Sequence, residues 1–165
     1  IAFLVTGILP LRELYDGVDW PVIILLGAMF PIGTALESTG GTETIAQGIV
    51  SLAGDAGMPA WGVLTVVLVA TMALSDVINN AATALLMAPI SVQIANSLSV
   101  NADAFLMAVA VGASCAFLTP IGHQCNTLVM GPGGYKFTDY WRLGLPLEIL
   151  IVVVAVPLLL TVWPL

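Results

Sequence analysis

The sequence predicts an all-α fold, a polytopic helical membrane protein with a re-entrant helical hairpin and an unwound transmembrane helix. Three observations predict it. Of the 165 residues, 59% are hydrophobic and only 8% are charged, whereas a soluble domain carries about 25% charged residues. So little polar chemistry cannot cover a water-facing surface, and the bilayer must be the solvent. Apolar runs recur along the whole chain, at 20–36, 61–74, 81–96, 104–118 and 143–162. Finally, polar stretches interrupt the apolar sequence where no continuous membrane helix would hold them, which is how secondary transporters build a site at mid-membrane.

Residues 1–9 read as the tail of a span, and 10–19 as a polar loop that carries Arg12. Residues 20–36 form a first complete span, with Trp20 at an interface and Pro31 as a kink. The stretch 37–60 is Gly-rich and acidic. Within it, Ile45, Ile49 and Leu52 have helical spacing, so an interfacial helix is expected over 43–54. The apolar run 61–74 would reach only about 21 Å, against a hydrocarbon core of about 30 Å. It ends in Ser75-Asp76-Val-Ile-Asn79-Asn80, and the chain turns apolar again over 81–96. Two short helices around a polar tip predict a re-entrant hairpin over 61–96, its tip near mid-membrane. Residues 104–131 are expected to be one broken transmembrane crossing, whose first helix, 104–118, stops at Thr119-Pro120-Ile-Gly122-His123-Gln124-Cys-Asn126-Thr127. Residues 143–162 form the last span.

The net charge of −7 comes from three basic and ten acidic residues. That excludes nucleic acid as a partner, because nucleic acid demands clustered Lys and Arg. Three basic residues are also too few for a polybasic lipid patch. Arg12, Lys136 and Arg142 fall on one face by the parity of the crossings, which makes that face cytoplasmic and 37–60 external. Cys115 and Cys125 lie in apolar surroundings and read as free thiols. The chain lacks an initiator Met and opens inside a hydrophobic run, so it is expected to be a C-terminal portion of a longer protein.

Polar groups at membrane depth cost several kcal/mol unless they are satisfied. A hairpin that stops at mid-membrane leaves carbonyls free at one helix end and N–H groups free at the next. The carbonyls, with Ser and Asn oxygens, suit a hard cation such as sodium, and the N–H groups suit an anion. The alternative is a water-facing loop between two full spans. In the second stretch, Pro120 removes a donor and Gly122 loosens the chain, so the helix opens there. The alternative is a kinked helix whose polar side chains satisfy one another. No nucleophile–base set or metal-ligand spacing is visible, so an enzyme is not expected.

The segments SDVINNAATALLMAP (75–89) and TPIGHQCNTLVMGPGGY (119–135) carry a family resemblance. The chain resembles the C-terminal half of the divalent-anion:sodium symporters, the sodium:sulfate/dicarboxylate family within the citrate-transporter-like superfamily. The match runs from Asp19-Trp20-Pro21 to Gly144-Leu-Pro146. On that resemblance, residues 1–165 are one inverted repeat of a transporter membrane domain, the other repeat being absent. The resemblance also implies a homodimer, an elevator-like motion and, in its bacterial branch, the inner (plasma) membrane. The family's Ser-Asn-Thr tip falls on Asn79-Asn80-Ala81, and a further family Ser falls on Ser75. Its Thr-Pro-Pro-Asn falls on His123-Gln124-Cys125-Asn126, preceded by Gly122, whose carbonyl would contact sodium. The resemblance therefore implies sodium binding by Ser75, Asn79, Asn80 and Gly122, and substrate binding by Asn80, Thr83, His123 and Asn126.

Two roles are open to Asp76: a countercharge or proton carrier for ion coupling, or a structural partner for the hairpin backbone. His123 could touch an anionic substrate, titrate, or rest neutral against a carbonyl. Glu148, early in the last span, is expected to reach the headgroup region. The expected function is sodium-coupled symport of a small divalent anion, a dicarboxylate, tricarboxylate or sulfate, with sodium as coupling ion and no other cofactor. The alternatives are a proton-coupled or antiporting member of the same superfamily, and a channel-like membrane module.

Overall fold

The computed structural model describes residues 23–24, 27–28, 31, 35, 38–55, 57–78 and 80–165. Most of the span expected at 20–36, and everything before it, lies outside the described residues. The helices are α1 (Gly41–Asp55), α2 (Ala60–Ser75), α3 (Asn80–Leu98), α4 (Ala102–Ala113), α5 (Gln124–Met130) and α6 (Tyr140–Val162), with a 3-10 turn at Phe137–Asp139 leading into α6. No strand occurs among the described residues, as the composition predicts. Asn80–Leu98 and Phe137–Val162 are long and apolar enough to cross a membrane, whereas Ala60–Ser75 and Ala102–Ala113 are shorter apolar helices. A helix lies where an interfacial one is expected at 43–54, and Ala46 of that helix is buried.

Small residues set the central packing. Ala104, Ala108 and Gly112, at intervals of four, lie buried along α4. A Cβ on Gly112 would stand 2.9 Å from both the Leu68 carbonyl oxygen and Thr71 Cβ of α2. The bare Cα therefore lets α4 press against α2 backbone to side chain, the usual means of close helix approach in membranes. Val63, Leu64, Val67, Leu68 and Met72 of α2, with Ile90 and Ile94 of α3 and Phe105 of α4, belong to the same core, which Ala46 of α1 and Val156 and Leu159 of α6 also join.

The joint between α3 and α4 is local chemistry. Val100 N–H donates to the Ala95 carbonyl at 3.0 Å and Ser99 N–H to that of Asn96 at 3.1 Å, with Ser99 at a φ of 57°. This is a Schellman ending. Asn101 then caps α4, its side chain accepting from Asp103 N–H at 2.9 Å.

The first helix of the broken crossing ends at Ala113, five residues short of the end drawn from sequence, and backbone outside any helix runs over 114–123. Asn126 and Thr127, which the sequence places in the break, sit on α5. The cause is tertiary: the groups that would continue α4 bond to the end of α2 and the turn after it, and Phe117 packs against α6. α6 buries only Gly144, Glu148, Val156 and Leu159, and it exposes Leu143, Ile149, Leu150, Val153, Val154, Leu158 and Val162. So broad an apolar face belongs against lipid or further protein.

Candidate functional site

The two polar interruptions meet. Ser75, the last residue of α2, is fully buried. Its hydroxyl lies 2.9 Å from Asn80 Oδ1 and 2.8 Å from the Ala113 carbonyl oxygen, with one proton to share between them. Three oxygens thus converge where α2 ends, α3 begins and α4 stops. The Ala113 carbonyl also carries the negative end of the α4 dipole.

Asp76 fastens the same turn to the broken segment. Its carboxylate Oδ1 accepts from Leu118 N–H at 2.9 Å, and its backbone carbonyl accepts from the Thr119 hydroxyl. Thr119 Oγ1 in turn accepts from Ile121 and Gly122 N–H, each at 3.2 Å. Gly122 is where the two backbones touch: a Cβ there would stand 2.6 Å from Ala116 Cβ and 2.8 Å from the Ser75 carbonyl oxygen. Segment 114–123 therefore docks on the hairpin turn through the Leu118 N–H and the Thr119 hydroxyl, while the Ile121 and Gly122 N–H groups are satisfied within the segment.

The remaining sequence-derived residues divide as follows. Asn80 is half-buried, its Oδ1 engaged by Ser75, which leaves its amide N–H groups without a partner among the described residues. Asn126 is the reverse. Its amide donates to the carbonyls of Ala116 at 2.9 Å and Thr119 at 3.3 Å, leaving its oxygen available. His123 caps α5, its Nδ1 accepting from Cys125 N–H at 3.2 Å. An accepting Nδ1 means that the neutral ring carries its hydrogen on Nε2. Thr83 is fully buried on α3, and its hydroxyl finds no partner among the described residues. Asn79 lies outside the described residues.

Three residues of α6 belong to this region and were not read from sequence as part of it. Glu148 is buried, 9% exposed, with its carboxyl beside that of Asp76, and Glu148 Oε1 and Asp76 Oδ2 are buried with no hydrogen-bond partner among the described residues. Gly144 lies against the break, where a Cβ would stand 2.3 Å from the Phe117 carbonyl oxygen. Tyr140 donates its hydroxyl to the Asn126 carbonyl at 2.7 Å. The signal that could have found them is their spacing of four along one helix face. Beside them a cavity of about 270 Å³ is lined by Phe117, Asn126, Tyr135, Tyr140, Leu143 and Leu147, among others.

Comparison with known proteins adds the following. The model of the family described as "Citrate transporter" matches residues 1–165. An uncharacterized transporter of Synechocystis sp. is 42% identical over 96% of this chain and 26% of its own length. An uncharacterized transporter of Escherichia coli is 39% identical over 91% of this chain and 24% of its own. Sodium/sulfate cotransporter 2 of Chlamydomonas reinhardtii is 29% identical over 92% of this chain and 17% of its own. The chain thus spans about a quarter or less of the length of these curated relatives.

Proposed function

We propose a sodium-coupled transport function for this chain, which belongs to the citrate transporter family. Family and relatives are transporters, not enzymes, and the chain is integral to the membrane. The finer reading is that it forms half of the transport site of a longer symporter of small divalent anions, a dicarboxylate, tricarboxylate or sulfate. The sulfate reading draws on relatives named as sodium/sulfate cotransporters.

The observation that carries the reading is the junction of the two interruptions through Ser75, Asp76 and Gly122. In this reading α2 and α3 are the arms of a re-entrant hairpin, and 114–123 is the unwound part of a transmembrane helix. Sodium takes the oxygen-rich corner of Ser75, Asn79, Asn80 and the Gly122 carbonyl, with the C-terminal carbonyls of α4 adding negative potential. The anion takes the free amide N–H groups of Asn80 and the Nε2–H of His123. The Asn126 oxygen and the Thr83 hydroxyl complete its contacts. Asp76 acts as a brace, because its carboxyl already accepts from Leu118 N–H and its backbone carbonyl from the Thr119 hydroxyl. Sodium orders the broken backbone, the anion then meets an assembled site, and this order of assembly couples the two. The full protein works as a homodimer in a bacterial inner membrane, with a second, inverted repeat supplying the other half-site.

The test is Asn80→Asp in the reconstituted full-length protein. The substitution keeps the shape, replaces the donor with an acceptor and adds a charge that repels an anion. One hydrogen bond to a charged group is worth about 1.5–3 kcal/mol, so anion affinity should fall by roughly ten- to a hundredfold. Sodium affinity should fall less or rise. Unchanged anion affinity in a folded variant places the site elsewhere.

A further inference from the structure

One face of α6 backs the broken segment at three successive turns. Tyr140, Gly144 and Glu148 follow at intervals of four, so all three point the same way from a helix. Each meets a different part of the junction. The Tyr140 hydroxyl donates 2.7 Å to the Asn126 carbonyl on α5. Gly144 lies directly against the Phe117 carbonyl in mid-break. Glu148 reaches Asp76 at the hairpin turn. The first two turns of α6 otherwise face outward, with Trp141 at 54% and Leu143 at 77% exposure. The contacts to the break are therefore specific to this face.

We propose that Tyr140 is a positioning residue for the anion site, acting through Asn126, with Gly144 setting the distance at which it acts. The role in transport rests on the function proposed above. α5 is a seven-residue helix, too short to hold its own direction. Its first turn carries His123 as cap and Asn126 as the amide that ties Ala116 and Thr119 together. Among the described residues, Tyr140 is the side chain beyond the break that holds α5 by a hydrogen bond, and it bonds to the backbone of Asn126 itself. Its ring is steadied by Tyr135, edge-on at 6.2 Å between centroids. Moving α5 by an ångström would move both anion-facing side chains together, and site geometry is sensitive to shifts of that size. Gly144 admits the approach: a methyl group there would push α6 away from Phe117 and draw the Tyr140 hydroxyl away from Asn126.

The experiment compares Tyr140→Phe with Tyr135→Phe in the full-length protein. It reads anion KM and maximal rate in liposomes and amide hydrogen exchange over α5. Tyr140→Phe removes one oxygen and keeps the ring contact. It should raise anion KM by about two- to tenfold, the size of one neutral hydrogen bond, with maximal rate little changed. Exchange should quicken at 126–130 and stay unchanged at 60–75. Tyr135→Phe should alter none of these. Gly144→Ala should repeat the KM rise more strongly. If Gly144→Ala does not fold, Tyr140→Phe still decides the matter. A Tyr140→Phe protein with unchanged KM and unchanged α5 exchange overturns the proposal. So does one whose rate and melting temperature fall while KM stays constant, because that is a merely structural role. If the wild-type protein transports no anion, the transport reading fails, and the exchange arm alone decides whether Tyr140 holds α5.

Discussion

Replacing Gly122 by Ala should damage the junction of the two interruptions more than its single methyl group suggests. The new Cβ would lie 2.6 Å from Ala116 Cβ, 2.8 Å from the Ser75 carbonyl oxygen and 3.1 Å from Asp76 Cα. Carbon atoms prefer separations of about 3.5–4.0 Å, so the overlap with Ala116 is about 1 Å. Two of the three obstructing atoms are backbone and cannot rotate away. Segment 114–123 must therefore back off from the hairpin turn, stretching the bonds that Thr119 and Leu118 make with Asp76. Overpacking of this kind costs about 1–3 kcal/mol. The assay is thermal unfolding of the detergent-solubilised full-length protein, paired with sodium and anion affinity. The variant should melt lower and lose affinity for both ions, because the proposed sodium and anion sites share this contact. Adding Ala116→Gly, which removes the 2.6 Å neighbour but leaves the Ser75 carbonyl in place, should restore part of the loss and so show coupling between the positions. If Gly122→Ala melts and binds as the wild type does, the two turns are not in contact and the junction argument fails.

Gly112→Ala meets Leu68 and Thr71 of α2 at 2.9 Å and should cost about 1–3 kcal/mol in the same unfolding assay, without selective loss of either ion. Asn126→Ala removes two hydrogen bonds that staple the break. It should quicken hydrogen exchange across 114–123 while leaving α3 protected, at a stability cost of about 1–3 kcal/mol. For topology, Asp55→Cys in a background without Cys115 and Cys125 should react with a membrane-impermeant thiol reagent in intact cells, and Lys136→Cys should not. The reverse pattern would invert the proposed orientation.

The helical class and the two interruptions could be read from sequence because they are local. Charge content, apolar runs and the clusters Ser75–Asn80 and Thr119–Thr127 carry them without reference to the rest of the chain. The position of the second break could not be read that way. Pro120 and Gly122 point to a break at 119, yet α4 stops at Ala113, within a stretch, Ser114-Cys115-Ala116-Phe117, that holds no Pro or Gly. Partners distant in the chain end the helix: Ser75 engages the Ala113 carbonyl, Asp76 takes the Leu118 N–H, and Gly144 lets Phe117 lie against α6. The burial of Glu148 escapes sequence for the same reason. A lone acid near a helix start resembles a headgroup contact, yet Glu148 lies buried beside Asp76, 72 positions away in the chain (148 − 76). The roles within the amides were also beyond sequence. Asn80 and Asn126 are the same residue type, but Ser75 occupies the oxygen of one and the Ala116 and Thr119 carbonyls occupy the nitrogen of the other.

Uptake by the reconstituted full-length protein tests the central claim most directly. Liposomes would be offered labelled sulfate and labelled four-carbon dicarboxylate, each with an inward sodium gradient and with sodium replaced by choline. The account predicts saturable uptake of at least one of these anions that depends on sodium and supports counterflow, and that falls steeply in Asn80→Asp. Uptake that is unsaturable, or equal with and without sodium, would contradict it.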